Sequence, residues 1–246
     1  MNLIPDINLF IVTSSLKPNM GAYSDGDRFN QTIDSLKSLR EKVPEAIVLF
    51  TDCSARPVSD LEKQAISKYS NFYFDLSSQP NCKYCVDNAL KSPGENSLLF
   101  FTLLSLKQNP QISPLLNQVK RIFKFSARTI LEEDFDIKEY DGLFGKFVFK
   151  KRIPTWLNQA PLDTDHLFIT RLYSFCPSLI DIYLEVIQKN LNSLQNGVPD
   201  TEHAHYANIP KQYLVEFDKL HCWGWLAGNG QDRKSTRLNS SHITIS

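Results

Sequence analysis

Residues Ile7 to Thr13 read INLFIVT and residues Ala46 to Phe50 read AIVLF, two short apolar runs that end in polar segments, Thr13-Ser14-Ser15 and Thr51-Asp52-Cys53-Ser54. Continuous apolar runs of this length, as opposed to alternating ones, belong to strands covered on both faces. Between them Phe29, Ile33, Leu36 and Leu39 recur at helical spacing, with Asp27 placed to cap the start and Pro44 to end it. The succession predicts a βαβ unit with a buried parallel pair.

Working outward, Asp60 to Tyr69 reads as a second helix and Asn71 to Leu76 as a third strand. Ser92-Pro93-Gly94-Glu95 has the form of a capping box with Pro at the first helical position, so a helix is predicted to start there and carry the apolar run from Leu98. Lys120 to Arg128 (KRIFKFSAR) suits a fourth strand, and Phe147 to Phe149 and Leu167 to Thr170 suit shorter ones. Pro177 opens a long amphipathic helix through Leu194 that Gly197 closes. Strands alternating with helices predict an α/β fold, a mostly parallel sheet flanked by helices, in a single domain spanning residues 1–231.

Composition narrows the function. The chain has 246 residues, 42% of them hydrophobic and 22% charged, with 27 Lys and Arg against 27 Asp and Glu. That excludes disorder as the main state and leaves no global field to attract polyanions, so no nucleic-acid partner is expected. The 5 cysteines are an odd number behind a strand-like amino terminus with no apolar leader, which fits a reduced, cytoplasmic protein. The longest apolar stretch, Leu98 to Leu106, is interrupted by Thr102 and Ser105 and is too short to span a membrane. Residues Asp232 to Ser246 (DRKSTRLNSSHITIS) have no apolar period and resemble the codon-by-codon translation of a short-read sequencing adapter. They are set aside as a non-native tail, and the natural chain is expected to continue past Gln231.

In open α/β sheets ligands bind beyond the carboxyl ends of the strands, which directs attention to Thr13 to Ser15, Asp52 to Ser54, Ser126 to Arg128, and Thr170-Arg171. An acid such as Asp52 at a strand end can accept hydrogen bonds from a ribose or base edge; an Asp that starts a turn without touching a ligand fits the place equally. Here VTSS (Val12 to Ser15) and RFNQTIDSLKSLREKVPEAIVLFTDCS (Arg28 to Ser54) resemble the opening of nucleotide-sugar glycosyltransferases of the GT-A fold. The segments Arg28-Phe-Asn-Gln31-Thr32 and Lys124-Phe-Ser126-Ala-Arg128 are also similar to glycosyltransferase-like proteins of viral or bacterial origin. The resemblance covers roughly the first half of the chain. It implies a GT-A-like fold, a nucleotide-sugar donor, Thr13 and Asp52 at the nucleoside, and Arg28 reaching a phosphate.

GT-A enzymes typically place an Asp-x-Asp at the end of a later strand, to hold a divalent cation against the diphosphate. The nearest match, Asp134-Phe135-Asp136, lies beyond the fourth strand in an acidic run that reads as a solvated surface segment, and at the expected place stands KFSAR. Lys124 and Arg128, i and i+4 on one strand, would face the same side and neutralise a diphosphate without metal, with Ser126 between them. A pair of solvated basic residues opposite the strand's apolar face fits as well. A divalent metal is therefore not expected.

Asp200-Thr201-Glu202-His203-Ala204-His205 reads as a polar loop, and in it Glu202 or Asp200 is the candidate general base for an acceptor hydroxyl, while two histidines in such a loop are more often surface residues than ligands. Cys82-Lys83-Tyr84-Cys85 has no second pair and sits in a predicted loop, which favours two ordinary cysteines. Trp223 and Trp225 suit either an acceptor groove or packing. The expectation is a glycosyltransferase moving a sugar from a nucleotide donor to a glycan or lipid-linked acceptor. A catalytically degenerate nucleotide-binding relative is the alternative, and a metal-dependent hydrolase using Glu202, His203 and His205 a more distant one.

Overall fold

The structure, a computed structural model, describes residues 6–155 and 164–225 and the backbone of Asp232 and Arg233. Its strands in chain order are β1 (Ile7–Ser14), β2 (Ile47–Asp52), β3 (Phe72–Asp75), β4 (Val119–Ser126), β5 (Thr129–Leu131), β6 (Phe147–Lys150), β7 (Ile153–Pro154), β8 (His166–Leu167), β9 (Leu172–Phe175), β10 (Leu214–Phe217), β11 (Cys222–Trp225) and β12 (Asp232–Arg233). Its α-helices are α1 (Asp25–Lys42), α2 (Asp60–Ser67), α3 (Pro80–Asp87), α4 (Lys91–Gln108), α5 (Ile180–Gln195) and α6 (Thr201–Asn208).

A seven-stranded sheet runs in the order β10-β6-β9-β4-β1-β2-β3, and within it only β9 opposes its neighbours. The apolar run of β1 divides between two cores because successive side chains leave a strand on opposite faces. Phe10 and Val12 join Val48, Phe50, Phe123 and Phe125 under α1 and α2. Leu9 and Ile11 join Leu49, Ile122, Phe149 and Tyr173 under α4 and α5. On the first face the Phe10 and Phe123 rings stack with centroids 4.5 Å apart. Burial of a Val, Leu, Ile or Phe side chain stabilises by about 1.5 to 3 kcal/mol, which is why strands covered twice can dispense with polar alternation. The mostly parallel α/β sheet is the predicted fold class.

The parallel register aligns the ends of the strands: Thr13 lies opposite Thr51 and Ser126, and Ser14 opposite Asp52. Beyond β4 the chain turns through Ala127 and Arg128 into β5, which pairs with β11 in a small second sheet. At Gly224 a Cβ would lie 2.5 Å from the Arg128 carbonyl, so only glycine lets β11 come this close to the turn.

Several elements depart from expectation. Ser24, not Asp27, caps α1, and Asp27 is the reciprocal member of the box, accepting from the Ser24 N–H at 3.1 Å. α4 forms as predicted, but it begins at Lys91 after Leu90, with no side-chain cap; Ser92 lies inside it and Glu95 is drawn elsewhere. Cys82 and Cys85 lie on helix α3, opened by Gln79 and Pro80, and not in a loop. The supposed loop at Thr201 is helix α6, with Asp200 at its N-cap. β4 stops at Ser126, so Lys124 and Arg128 do not share a strand. The backbone of Asp232 and Arg233 pairs with Gly224 and Trp225, so the segment set aside as foreign does contact the fold at its first two residues. The remainder of that segment, 234–246, lies outside the described residues.

Candidate functional site

A cleft of about 260 Å³ opens at the carboxyl edge of β1, β2 and β4. Thr13, Ser14 and Ser15 from the end of β1, Ser126 to Arg128 from the end of β4, Arg28 from α1, and Lys91 and Glu95 from the start of α4 line it. Pro18, Met20, Val86, Ala89, Leu90 and Leu98 supply an apolar side. The ends of β1 and β4 and the start of α1 thus bring Thr13, Ser126, Arg128 and Arg28 to one cleft.

The two arginines are held differently. Arg28 is only 6% exposed. Its Nη1 donates to the Ser15 carbonyl and its Nη2 to that of Met20, each at 3.3 Å, while Nε is buried with no hydrogen-bond partner among the described residues. Arg128 leaves Nη1 buried and equally unpartnered, and its guanidinium lies 6.0 Å from the centroid of the Tyr23 ring. Ser15 Oγ and the Tyr23 hydroxyl are also buried without a partner. Burial, with the like charge of Arg28, pushes the Arg128 guanidinium down to about 10, which still leaves it charged at neutral pH. Two cations, each with a buried N–H that no described residue accepts, thus border the cleft, and a buried donor left unmade costs about 1 to 3 kcal/mol.

Asp52 and Lys124 do not reach the cleft. Asp52 is fully buried; its Oδ1 accepts the Leu16 N–H at 3.0 Å and its Oδ2 the Ser54 hydroxyl at 2.6 Å. It braces the loop after β1 from beneath, and burial raises its pKa to about 6 in spite of those bonds. Lys124 is fully buried too, and Nζ donates to Glu95 Oε1 at 2.5 Å, to Ser126 Oγ at 2.8 Å and to the Thr170 carbonyl at 2.8 Å. An ammonium has three N–H bonds, so Lys124 has none left for a diphosphate. The expectation that Lys124 and Arg128 act as a pair is corrected here: the chain turns between them, and one is an internal post while the other faces the cleft.

Of the two candidate bases, Asp200 is committed to α6, where Oδ1 accepts the His203 N–H at 2.9 Å and lies 2.6 Å from His203 Nδ1. Glu202 accepts the Thr170 hydroxyl at 3.1 Å, beside the carbonyl that holds Lys124. Burial, then the charges of Glu95 and Asp200, raise its pKa, a direction that suits a proton acceptor. His203 and His205 are buried and serve different partners. His203 Nε2 lies 2.8 Å from the Thr155 hydroxyl, whereas His205 donates from Nδ1 to the Thr201 carbonyl and accepts from Tyr183 at Nε2. Burial lowers His205 to about 4, so it is neutral. They do not converge as metal ligands.

The residues at the end of β4 do not fit a divalent cation, since Ser126 and a guanidinium stand where carboxylates are needed. Asp136 caps a short turn by accepting the Lys138 N–H, and Asp134 lies beside His221 and Glu132, away from the cleft-lining residues. Glu95, Lys91 and the apolar side were not anticipated as cleft residues. In the sequence Glu95 fits half of a capping box, and nothing local distinguishes a cap from a partner to a lysine 29 positions on.

No protein-family model and no curated protein sequence matches the chain. Among solved structures it is similar to a glycosyltransferase involved in glycosylation of the major capsid of PBCV-1 (8% identity, TM-score 0.46, covering 87% of this chain and 82% of that one). It is similar also to core-mannan synthase A from Aspergillus fumigatus in its Mn/GDP form (7% identity, TM-score 0.48, 87% and 73%). A third likeness is to 4-diphosphocytidyl-2C-methyl-D-erythritol synthase from Anaerococcus prevotii (12% identity, TM-score 0.46, 87% and 92%). The fold class is the expected mostly parallel α/β sheet flanked by helices; at these identities and TM-scores the likenesses assign neither family, substrate nor residue roles.

Proposed function

We propose that the chain is a glycosyltransferase that takes a sugar from a nucleotide-sugar donor, with the donor's diphosphate between Arg28 and Arg128. The observation that carries this is a pair of arginines, Arg28 and Arg128, that line a cleft at the carboxyl edge of the sheet while each keeps a buried N–H that no described residue accepts. In this reading Thr13 and Ser126 contact the donor, and the apolar side of the cleft takes the nucleobase. Asp52 acts at one remove, by holding the loop of Leu16 and Ser54. Departure of the nucleoside diphosphate builds negative charge on its oxygens, which fixed guanidinium donors stabilise without reorganising. Glu202 is the base that accepts the acceptor hydroxyl's proton, and a glycan is the expected acceptor.

A thermal-shift series with uridine, guanosine and cytidine diphosphates and their sugar conjugates, with EDTA or manganese, tests the reading, because a ligand that binds the folded state raises its melting temperature. At least one series is expected to raise it in EDTA as much as in manganese. No shift with any of them overturns the reading. Release of nucleoside diphosphate from the conjugate that binds then separates a working transferase from a nucleotide-binding relative that has lost turnover.

A further inference from the structure

We propose that Glu95 is the sugar-recognition residue of the cleft and selects donors whose sugar is neutral and rich in hydroxyl groups, rejecting those that carry a carboxylate; this rests on the nucleotide-sugar reading above. Among the described lining residues Glu95 is the sole carboxylate, beside cations, hydroxyls, the Asn19 amide, the thiols of Cys53 and Cys85 and apolar groups. An acid beside a diphosphate site opposes the binding of that anion, so its presence calls for a ligand group that gains from it. Lys124 holds Oε1 at 2.5 Å, while Oε2 has no hydrogen-bond partner among the described residues and the side chain keeps 26% of its surface open.

Burial would push the Glu95 carboxyl up, but the Lys124 charge and hydrogen bond, with help from Lys91, more than offset it and hold the group below the usual range. Glu95 is therefore an ionised acceptor with no proton to give. Lys124 is itself tied to Ser126 and Thr170, so the carboxylate is fixed before any ligand arrives and little side-chain entropy is lost on binding. The group that matches a fixed, ionised, open carboxylate is a hydroxyl, or a vicinal pair of them. The Glu95 charge also contributes to raising the proton affinity of Glu202, the base in that reading. A sugar carboxylate there would meet Glu95 as a like charge, which is costly in a desolvated site.

The test is calorimetric titration of the full chain with UDP, UDP-glucose and UDP-glucuronic acid, and with GDP, GDP-mannose and GDP-mannuronic acid. Wild type is expected to bind the neutral conjugate of the accepted nucleotide about tenfold tighter than its uronate, and Glu95→Gln to bring the two within about twofold, with affinity for the bare diphosphate unchanged or higher. Diphosphate binding with the same discrimination in both proteins, or a wild-type preference for the uronate, overturns the inference and leaves the nucleotide-sugar reading standing. Absence of binding by every probe overturns both. Should Glu95→Gln fail to fold, Glu95→Asp keeps the charge beside Lys124; it is expected to reject the uronate still while losing affinity for the neutral conjugate, and wild-type affinity in it overturns the inference.

Discussion

At the scale of single residues, Arg128 sets function against stability. No hydrogen bond from its guanidinium to a described residue accompanies its burial, and its Nη1 is orphaned. A half-buried cation with an orphaned N–H carries a desolvation cost that an apolar side chain of similar length avoids. Arg128→Met is therefore expected to raise the melting temperature of the free protein, and to weaken binding of the accepted nucleoside diphosphate by roughly tenfold or more, the size of a charged hydrogen bond. EDTA is expected to change neither result. A loss of stability with unchanged affinity would assign Arg128 to the fold instead.

Asp52 makes a second residue-scale prediction. Its folded pKa, about 6, lies above the ordinary 3.8, so the folded state holds the proton more tightly than the unfolded one. The stabilising share of this group is thus present in full below pH 3.8 and is lost as the pH rises through about 6. Asp52→Asn keeps the oxygen that Leu16 needs and removes the buried charge. Relative to wild type it is expected to gain stability between pH 4 and 7, by at most about 3 kcal/mol, and to show no advantage at pH 3. Denaturant melts of the two proteins across that range check the sign.

At the scale of elements, α4 shows a local signal outbid by a distant one. Ser92-Pro93-Gly94-Glu95 has the residues of a capping box, but Glu95 bonds Lys124 instead and Ser92 Oγ accepts the Thr201 N–H. A cap contributes about 1 kcal/mol, whereas leaving the buried Lys124 ammonium without a counter-charge costs several times that. Lys124→Met strands Glu95 between cleft and core and is expected to cost about 2 kcal/mol or more, part of which the added change Glu95→Gln restores. Chemical denaturation of the single and double variants measures it; a cost near zero for Lys124→Met would remove the lysine from its structural role. α6 is the reverse case. Asp200 ahead of Thr201 and Glu202 is an N-cap signature present in the sequence, masked by two histidines that read as surface residues but are buried and paired.

At the scale of the whole molecule, the sheet's parallel register determines what the cleft contains. Thr13, Ser126 and the Arg128 turn meet because β1 and β4 are neighbours, although more than a hundred positions separate their ends. The β5 and β11 ribbon then holds the turn from behind: the Trp225 N–H donates to the Arg128 carbonyl at 3.2 Å, and Arg171 Nη1 to the Gly224 carbonyl at 2.8 Å. The pairing of Asp232 and Arg233 with β11 bears on the adapter-like segment as well. Removing residues 234–246 is expected to leave the melting temperature unchanged, while cutting after Gln231 also unpairs the edge of β11 and is expected to lower it slightly. Thermal melts of the two truncations distinguish the outcomes.

What the sequence by itself determined is the framework. Apolar runs at Ile7, Ala46 and Lys120 mark strands because burial on both faces leaves no place for polar side chains, and their polar ends mark the edge where a ligand binds. The resemblance added the nucleotide reading with Thr13, Asp52 and Arg28, and the basic residues of KFSAR added Lys124, Ser126 and Arg128. What only the tertiary structure decided is which charged groups at the cleft remain without a protein partner. Asp52, Lys124 and Asp200 look as available in the sequence as Arg128 or Glu95; the fold turns the first three into partners for Leu16, Glu95 and His203 and leaves Arg128 Nη1 and Glu95 Oε2 unspent. Local spacing encodes strands and helices because their periods are local, but the saturation of a buried charge depends on groups that only the folded chain brings within hydrogen-bonding distance.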